Sequence, residues 1–275
     1  MKDVFDLYLV CCCRSPGRDS ALMQEHEGLE IMLSHKVGGQ GDNVLCGLKG
    51  VEQIPVERAP AILVSFSYYE RWKARQSEYR YRNWSLDSGA FSAYSSGVST
   101  DLKEYIETAK KLRDTDPDLK EIFALDVIGD HRASLVNCQA MWKAGVEAIP
   151  TYHFGEPESV LKHLSQNYPK IALGGIARHK GAGKLRWAEQ CFARVWPCRI
   201  HGFGFGSVSQ IMSLPWDSVD ATNWETAPCA FGRWESFGNL TYRGSGQNLR
   251  IEVEHFLRLE QRARDRFRKT YKELK

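Results

Sequence analysis

At 275 residues the chain is long for an average domain and can bury one large core. A hydrophobic fraction of 43% and a charged fraction of 26% exclude a low-complexity or disordered chain, and no apolar run reaches the ~20 residues of a membrane helix. The formal charge of +3 is unevenly placed: residues 250–275 hold nine Lys/Arg against five Asp/Glu, a local excess that suits a polyanionic partner.

In chain order, apolar runs of strand length are Leu7–Cys13, Ile62–Ser67, Trp84–Asp87, Ile122–Val127, Ala148–His153, Lys170–Gly174, Arg199–Phe203, Ser218–Asp220 and Asn239–Tyr242. Helix-like segments alternate with them. Residues 101–114 follow Ser99-Thr100, an expected N-cap, and place Leu102, Tyr105, Ile106, Ala109 and Leu112 on one face. Segments 131–145, 157–168 and 185–195 have the same character. Strand alternating with helix argues for a parallel sheet, and about eight such units for a closed (β/α)8 barrel of the TIM type, typically ~250 residues. Nine candidates for eight places mean that one strand, near a terminus, is misread or lies outside the barrel.

The expectation is therefore one domain over residues 1–275. Residues 1–60 are expected to form an irregular extension around Gly38-Gly-Gln-Gly-Asp-Asn43, and 250–275 a basic amphipathic helix. That helix is either the last helix of the barrel, with a solvated charged face, or a nucleic-acid contact. Met1-Lys-Asp-Val-Phe-Asp6 does not read as a signal peptide, so a cytoplasmic location is expected. The eight cysteines contain no Cys-x-x-Cys pair, so reduced thiols without a metal are expected.

Several apolar runs end in groups able to do chemistry. Asp87, Asp126 and Asp220 each close a strand candidate, and a barrel brings its strand ends onto one rim. Any one of them could simply cap the next helix. Three together suit metal binding, or a nucleophile with a general acid/base. His153 ends another run, where it is either a satisfied structural residue or a ligand contact. Gly174-Gly175 and Gly202-Phe-Gly-Phe-Gly206 permit close backbone approach to a flat ligand, although neither fits a nucleotide-binding fingerprint. Ser88 and Gly89 turn the chain directly after Asp87. The stretch 69–84 mixes aromatics with Trp72, Arg75, Arg80 and Arg82, and the loop 178–186 adds Arg178, Lys180 and Lys184. Either could be a solvated helix face; together, with aromatics to stack on bases and cations to hold phosphates, they favour a phosphate backbone at the mouth.

The ordered set resembles the tRNA-guanine transglycosylase superfamily. Asp87-Ser-Gly-Ala-Phe91 is similar to its Asp-Ser-Gly-Gly-Phe motif, and Leu125-Asp126 to its second base-reading aspartate. Tyr152-His153 stands where a base-reading glutamine is found. Leu173-Gly174-Gly175 resembles the Gly-Gly-Leu turn, Gly202-Phe-Gly204 the Gly-Val-Gly turn, and Asp217-Ser-Val-Asp220 the Asp-x-Phe-Asp motif that ends in the nucleophile. The tRNA enzymes carry a zinc subdomain after that motif. Here only Cys229 and His255 follow, and Ala221-Thr-Asn-Trp224 replaces an arginine-bearing segment.

With Ile149-Pro-Thr-Tyr-His-Phe-Gly-Glu156 and Ser218-Val-Asp220, the chain looks like the zinc-less, DNA-modifying branch found in phages and bacterial modification clusters. That resemblance implies a transferase that exchanges guanine in DNA for a 7-deazaguanine base, the host cytoplasm being the location for a phage-encoded chain. Asp220 would be the nucleophile and Asp87 the general acid/base. Asp126, His153, Ser88, Gly89, Gly174 and Gly175 would hold the base. DNA and the free base would be the partners, with duplex-opening proteins as helpers and no further cofactor. Exchange into tRNA, a metal-dependent barrel hydrolase and a non-catalytic DNA-binding barrel are the alternatives.

Overall fold

The computed structural model describes residues 28–46, 58–91, 100–176, 182–238, 240–241 and 249–273. Eight strands, β1 (Glu30–Ser34), β2 (Ala61–Ser65), β3 (Asn83–Asp87), β4 (Leu119–Ile122), β5 (Thr151–His153), β6 (Lys170–Gly174), β7 (Arg199–Gly202) and β8 (Ser218–Ala221), pair in the order β4-β3-β2-β1-β8-β7-β6-β5. Every pairing among them is parallel. A parallel bridge from Phe123 to Ile149 joins the end of β4 to the start of β5. There Ile149 N–H donates to Ile122 O at 2.8 Å and Ala124 N–H to Ile149 O at 2.9 Å, which closes the ring. The fold is a (β/α)8 barrel.

The helices are α1 (Asp42–Leu45), α2 (Tyr69–Arg75), α3 (Leu102–Thr115), α4 (His131–Lys143), α5 (Glu158–Asn167), α6 (Ala182–Val195), α7 (Val208–Ile211), α8 (Asn223–Phe231), α9 (Leu249–Arg266) and α10 (Arg268–Glu273). Helix α3 buries Tyr105, Ala109 and Leu112 as the spacing predicts, but its cap is Asp101, whose side chain accepts from Glu104 N–H at 2.8 Å, and not Ser99-Thr100. Asp130 caps α4 by accepting from Arg132 and Ala133 N–H, both at 3.0 Å.

The first barrel strand corrects the expectation of an irregular segment over residues 1–60: Glu30–Ser34 takes that place, and α1 follows it. Leu7–Cys13 lies outside the described residues. The candidate at 239–242 is outside the barrel, since β10 (Leu240–Thr241) pairs antiparallel with β9 (Arg233–Trp234). Seven of the nine candidates stand in the ring, and β1 fills the eighth place. Helix α9 packs on β1 and α8, and Arg264 Nε donates to Leu29 O at 2.7 Å, so its C-terminal end lies at the N-terminal end of β1. The basic tail of the chain therefore gathers at the bottom of the barrel, away from the strand C-termini.

Alternation along the strands sorts the interior into layers. Met32, Ala61, Leu63, Phe123, Ile149 and Ala172 form an inner apolar cluster separate from the larger core between strands and helices, with Phe203 packed on it. Below it the barrel is plugged by charge. The Lys170 ammonium, 1% exposed, donates to Glu121 at 2.7 and 2.9 Å and to Ser218 Oγ at 2.8 Å, and is ion-paired with Asp217. Arg199 Nε joins the same Asp217 at 2.7 Å. A floor of paired charges makes the ring intolerant of losing one partner. Above the apolar layer, at the strand C-termini, come Asp87, His153 and Asp220.

Candidate active site

The carboxylates converge as barrel geometry requires. Asp87 is the last residue of β3, and Asp220 the third of β8. Asp126 sits in the loop four residues past the last strand position of β4, so the run expected to be strand through Val127 ends early, at Ile122. His153 ends β5.

Asp87 is held by the turn that follows it. Gly89 N–H donates to Asp87 Oδ2 at 3.1 Å, and Ser88 Oγ donates to Asp126 Oδ1 at 3.1 Å, tying the two loops together. Gly89 takes φ +75°, and a Cβ there would meet Ser67 Oγ at 2.8 Å and Ser65 Oγ at 2.9 Å, so no other residue fits without displacing the turn. Burial raises the Asp87 carboxyl to about 7, the neighbouring Asp126 charge adds to the rise, and Asp220 pushes in the same direction against the Gly89 and Ser88 N–H groups. Asp220 is raised to about 6 by burial, opposed by the N–H groups of Gly204 and of its own residue. Gly204 N–H donates directly to Asp220 Oδ1. Two carboxyls in one mouth that take up protons at different values can serve as an acid/base and as an anion.

His153 lies between two carboxylates. Its Nε2 is 2.7 Å from Asp126 Oδ2 and its Nδ1 is 3.0 Å from Glu156 Oε1. Burial alone would lower the imidazole, but the hydrogen bonds to Asp126 and Glu156 win and raise it to about 9. The Gly174-Gly175 turn of β6 lies against this ring: a Cβ at Gly175 would come within 3.0 Å of His153 Cβ, and Gly175 has φ +75°. Among the expected site residues, Asp87, Ser88, Gly89, Asp126, His153, Gly174, Gly175 and Asp220 therefore share one rim. Glu156 joins this rim as a residue that the strand-end pattern does not select. Its distance of three residues from a strand-end histidine, across a glycine, is the signal that marks it. Among the described residues no group of three or more His, Cys, Asp or Glu is arranged to hold a metal ion.

The expected nucleic-acid contacts come out differently. Trp72 is fully buried and packs on Tyr79, Tyr81 and Trp84 at ring-centroid distances of 4.8, 5.3 and 5.7 Å, so it offers no face to a base. Arg75 is ion-paired with Asp42 and, at 2.8 Å, with Glu78. Arg82 is bound at 2.7 Å to Glu260 and at 3.4 Å to Glu30, at the opposite end of β3 from Asp87. Arg80 is exposed, on the segment that enters that same lower end. Chain direction is the reason: residues just before a strand lie a strand's length from residues at its end. Lys184 is half-buried in the first turn of α6, on the mouth side, and Arg178 and Lys180 lie outside the described residues. Three of the exposed apolar residues follow the rim positions, Phe91 at 56%, Phe154 at 39% and Val127 at 38% exposure, while Phe231, Val136, Trp196 and Ile251 are exposed elsewhere.

No family model matches the chain, and no curated protein does. Among solved structures it is similar to a 4-hydroxy-2-oxoglutarate/2-dehydro-3-deoxyphosphogluconate aldolase from TTHB1, at 15% identity and a TM-score of 0.45 over 88% of this chain and 99% of that one. A mutant tryptophan synthase α-subunit from Pyrococcus furiosus gives 14% identity and a TM-score of 0.48 over 85% of this chain and 98% of the other. The carboxyl transferase domain of Rhizobium etli pyruvate carboxylase gives 11% and 0.45 over 93% of this chain, which spans 53% of that one. Likeness at this level carries no argument about chemistry.

Proposed function

We propose that the protein is a DNA-guanine transglycosylase that exchanges a guanine base for a 7-deazaguanine base. The reading rests on one observation above the others: Asp87 and Asp220 face one mouth with proton affinities of about 7 and about 6, beside the Asp126–His153 pair. In the first half-reaction Asp220, the more acidic of the two and mostly ionised at neutral pH, attacks C1′ of the sugar. The glycosidic bond breaks, its electrons leave with the base, and Asp87 supplies the proton that the departing ring requires. In the second, Asp87 takes a proton from the incoming base, whose nitrogen displaces Asp220 from C1′. Two displacements retain configuration, as in two-step glycosidases. One glycosidic bond is made for each one broken, so no redox step arises.

Asp126 and His153 supply an acceptor and a donor side by side, which complements the N–H and C=O of a purine-like lactam edge. Gly174 and Gly175 let the backbone approach the ring. A stacked nucleotide cannot reach carboxylates set at a barrel mouth, so the target is extruded or single-stranded. The exposed Phe91 and Phe154 are placed to meet unstacked bases.

The test is incorporation. Protein is incubated with single- and double-stranded DNA, and with tRNA, in the presence of isotopically labelled guanine or a 7-deazaguanine, and the digested nucleosides are analysed by mass spectrometry. Label in DNA supports the reading; label in tRNA alone replaces it with the RNA enzyme; absence of label from all three polymers removes it.

A further inference from the structure

Glu156 is tied to His153 twice. Its Oε2 accepts the His153 backbone N–H at 3.0 Å, and its Oε1 stands 3.0 Å from Nδ1 of the same residue. The turn that makes this reach possible is itself fixed: Gly155 takes φ +90°, Glu156 N–H donates to His153 O at 3.2 Å, and Tyr152 OH donates to Glu156 O at 2.8 Å. The side chain of Glu156 is 10% exposed and that of His153 8%. A carboxylate only accepts, so Nδ1 carries a proton; Nε2, 2.7 Å from the Asp126 carboxylate, carries one as well. A ring with both protons is a cation and can only donate.

The groups around the ring agree. Asp126 faces it from the loop after β4, Glu156 from its own turn, and Asp87 stands behind Asp126. From β6 the uncharged Gly174-Gly175 turn lies against it. No cation among the described residues is bonded to it. On the side of Phe154, Trp187 packs at a centroid distance of 5.3 Å and adds no charge.

We propose that Glu156 is a specificity-determining positioning residue: by fixing His153 as a doubly protonated donor, it restricts the site to bases with a carbonyl oxygen at the edge facing Nε2 and rejects those with an amino group there. The proposal rests on the base-exchange reading of the site. Asp126 and His153 satisfy one another, and an incoming base would exchange that bond for two, its N–H to Asp126 and its carbonyl to Nε2. A 6-amino ring presents a donor to a donor, and leaves both buried groups without partners. A neutral ring whose only proton sat on Nδ1 would present an acceptor at Nε2 and lose that discrimination.

Two measurements on the full chain test this without requiring turnover. The first follows the His153 ring by nitrogen NMR across pH, with His153→Gln identifying the signal. The second compares equilibrium binding of 7-deazaguanine with that of 2,6-diamino-7-deazapurine, the same ring carrying an amino group in place of the oxygen. Wild type should keep both ring protons at pH 7.5 and prefer the oxo base. Glu156→Gln, which keeps size and hydrogen-bonding reach, should lower the ring's titration by at least about one pH unit and cut the oxo-over-amino preference about ten-fold or more. Glu156→Asp, which keeps the charge, should recover part of both.

A merely structural Glu156 would be served by Gln and harmed by Asp, the reverse order. An unmoved titration, an unmoved preference in Glu156→Gln, or a wild type indifferent to the two bases overturns the proposal. Intact oxo preference in a protein that exchanges no base into nucleic acid would overturn the function and leave this inference standing.

Discussion

His153 Nε2 lies 2.7 Å from Asp126 Oδ2, a bond that crosses from the end of β5 to the loop after β4 where the barrel ring closes. The two groups proposed to read a base are thus paired with each other. That pairing, with Ser88 on the other oxygen of Asp126, locks three rim loops into one surface.

Activity should depend on pH through the two carboxyls that the mouth has separated. On the proposed mechanism Asp220 must be ionised to attack, and Asp87 must hold a proton for the base to leave. Their values of about 6 and about 7 predict a bell-shaped kcat/KM for guanine release, rising through about 6 and falling through about 7. The two limbs belong to the interacting pair. Asp87→Asn should remove the falling limb and lower the rate on the order of 10²–10⁴-fold. A pH–rate series on wild type and this variant checks both.

Stability should move the other way. Asp87 binds its proton more tightly folded than unfolded, about 7 against 3.8, so the folded state loses stability as pH rises from 3.8 through about 7. Asn carries no charge to bury. Asp87→Asn should therefore be more stable than wild type at pH 8, on the order of 1–3 kcal/mol, and show no such gain at pH 3. Thermal melts at the two pH values give the comparison.

The floor of the barrel predicts a large effect far from the mouth. Lys170→Met removes the cation shared by Glu121 and Asp217, leaving buried carboxylates with fewer partners. Arg199 still serves Asp217, so Glu121 bears most of the loss. A cost of about 3–5 kcal/mol is expected in urea unfolding.

Gly89 ties the fold to the chemistry. Its φ of +75° and the two serine hydroxyls under 3.0 Å from a Cβ mean that Gly89→Ala shifts the turn bearing Asp87. A loss of about 1–3 kcal/mol in stability is expected, with a fall in kcat larger than any change in KM. Steady-state kinetics and a melt on the same sample separate the two.

Much of this architecture was legible in the sequence because barrel strands are buried on both faces and read as apolar runs, each ending where the chain turns toward the rim. Asp87, His153 and Asp220 could be placed by that rule alone. β1 escaped it for a physical reason: Glu30, its first residue, belongs to the charged floor, so only Ile31-Met-Leu33 read as apolar, beside a glycine-rich loop. Trp72 and Arg82 misled for the converse reason. Composition marked them as surface groups, but Trp72 fills the core beside Trp84, and Arg82 closes the floor with Glu30 and Glu260. Residue type reported chemistry well where the strand direction was known, and poorly where it was not.

In the proposed reaction Asp220 forms a bond to the sugar of a nucleic acid. The most direct measurement is a denaturing-gel and peptide mass analysis of protein mixed with guanine-containing DNA in the absence of an incoming base. A DNA-linked species is expected whose modified peptide carries the adduct on Asp220, which disappears when a 7-deazaguanine base is added and is absent from Asp220→Ala. Base exchange that proceeds at the wild-type rate in Asp220→Ala, or an adduct on any other residue, would contradict it.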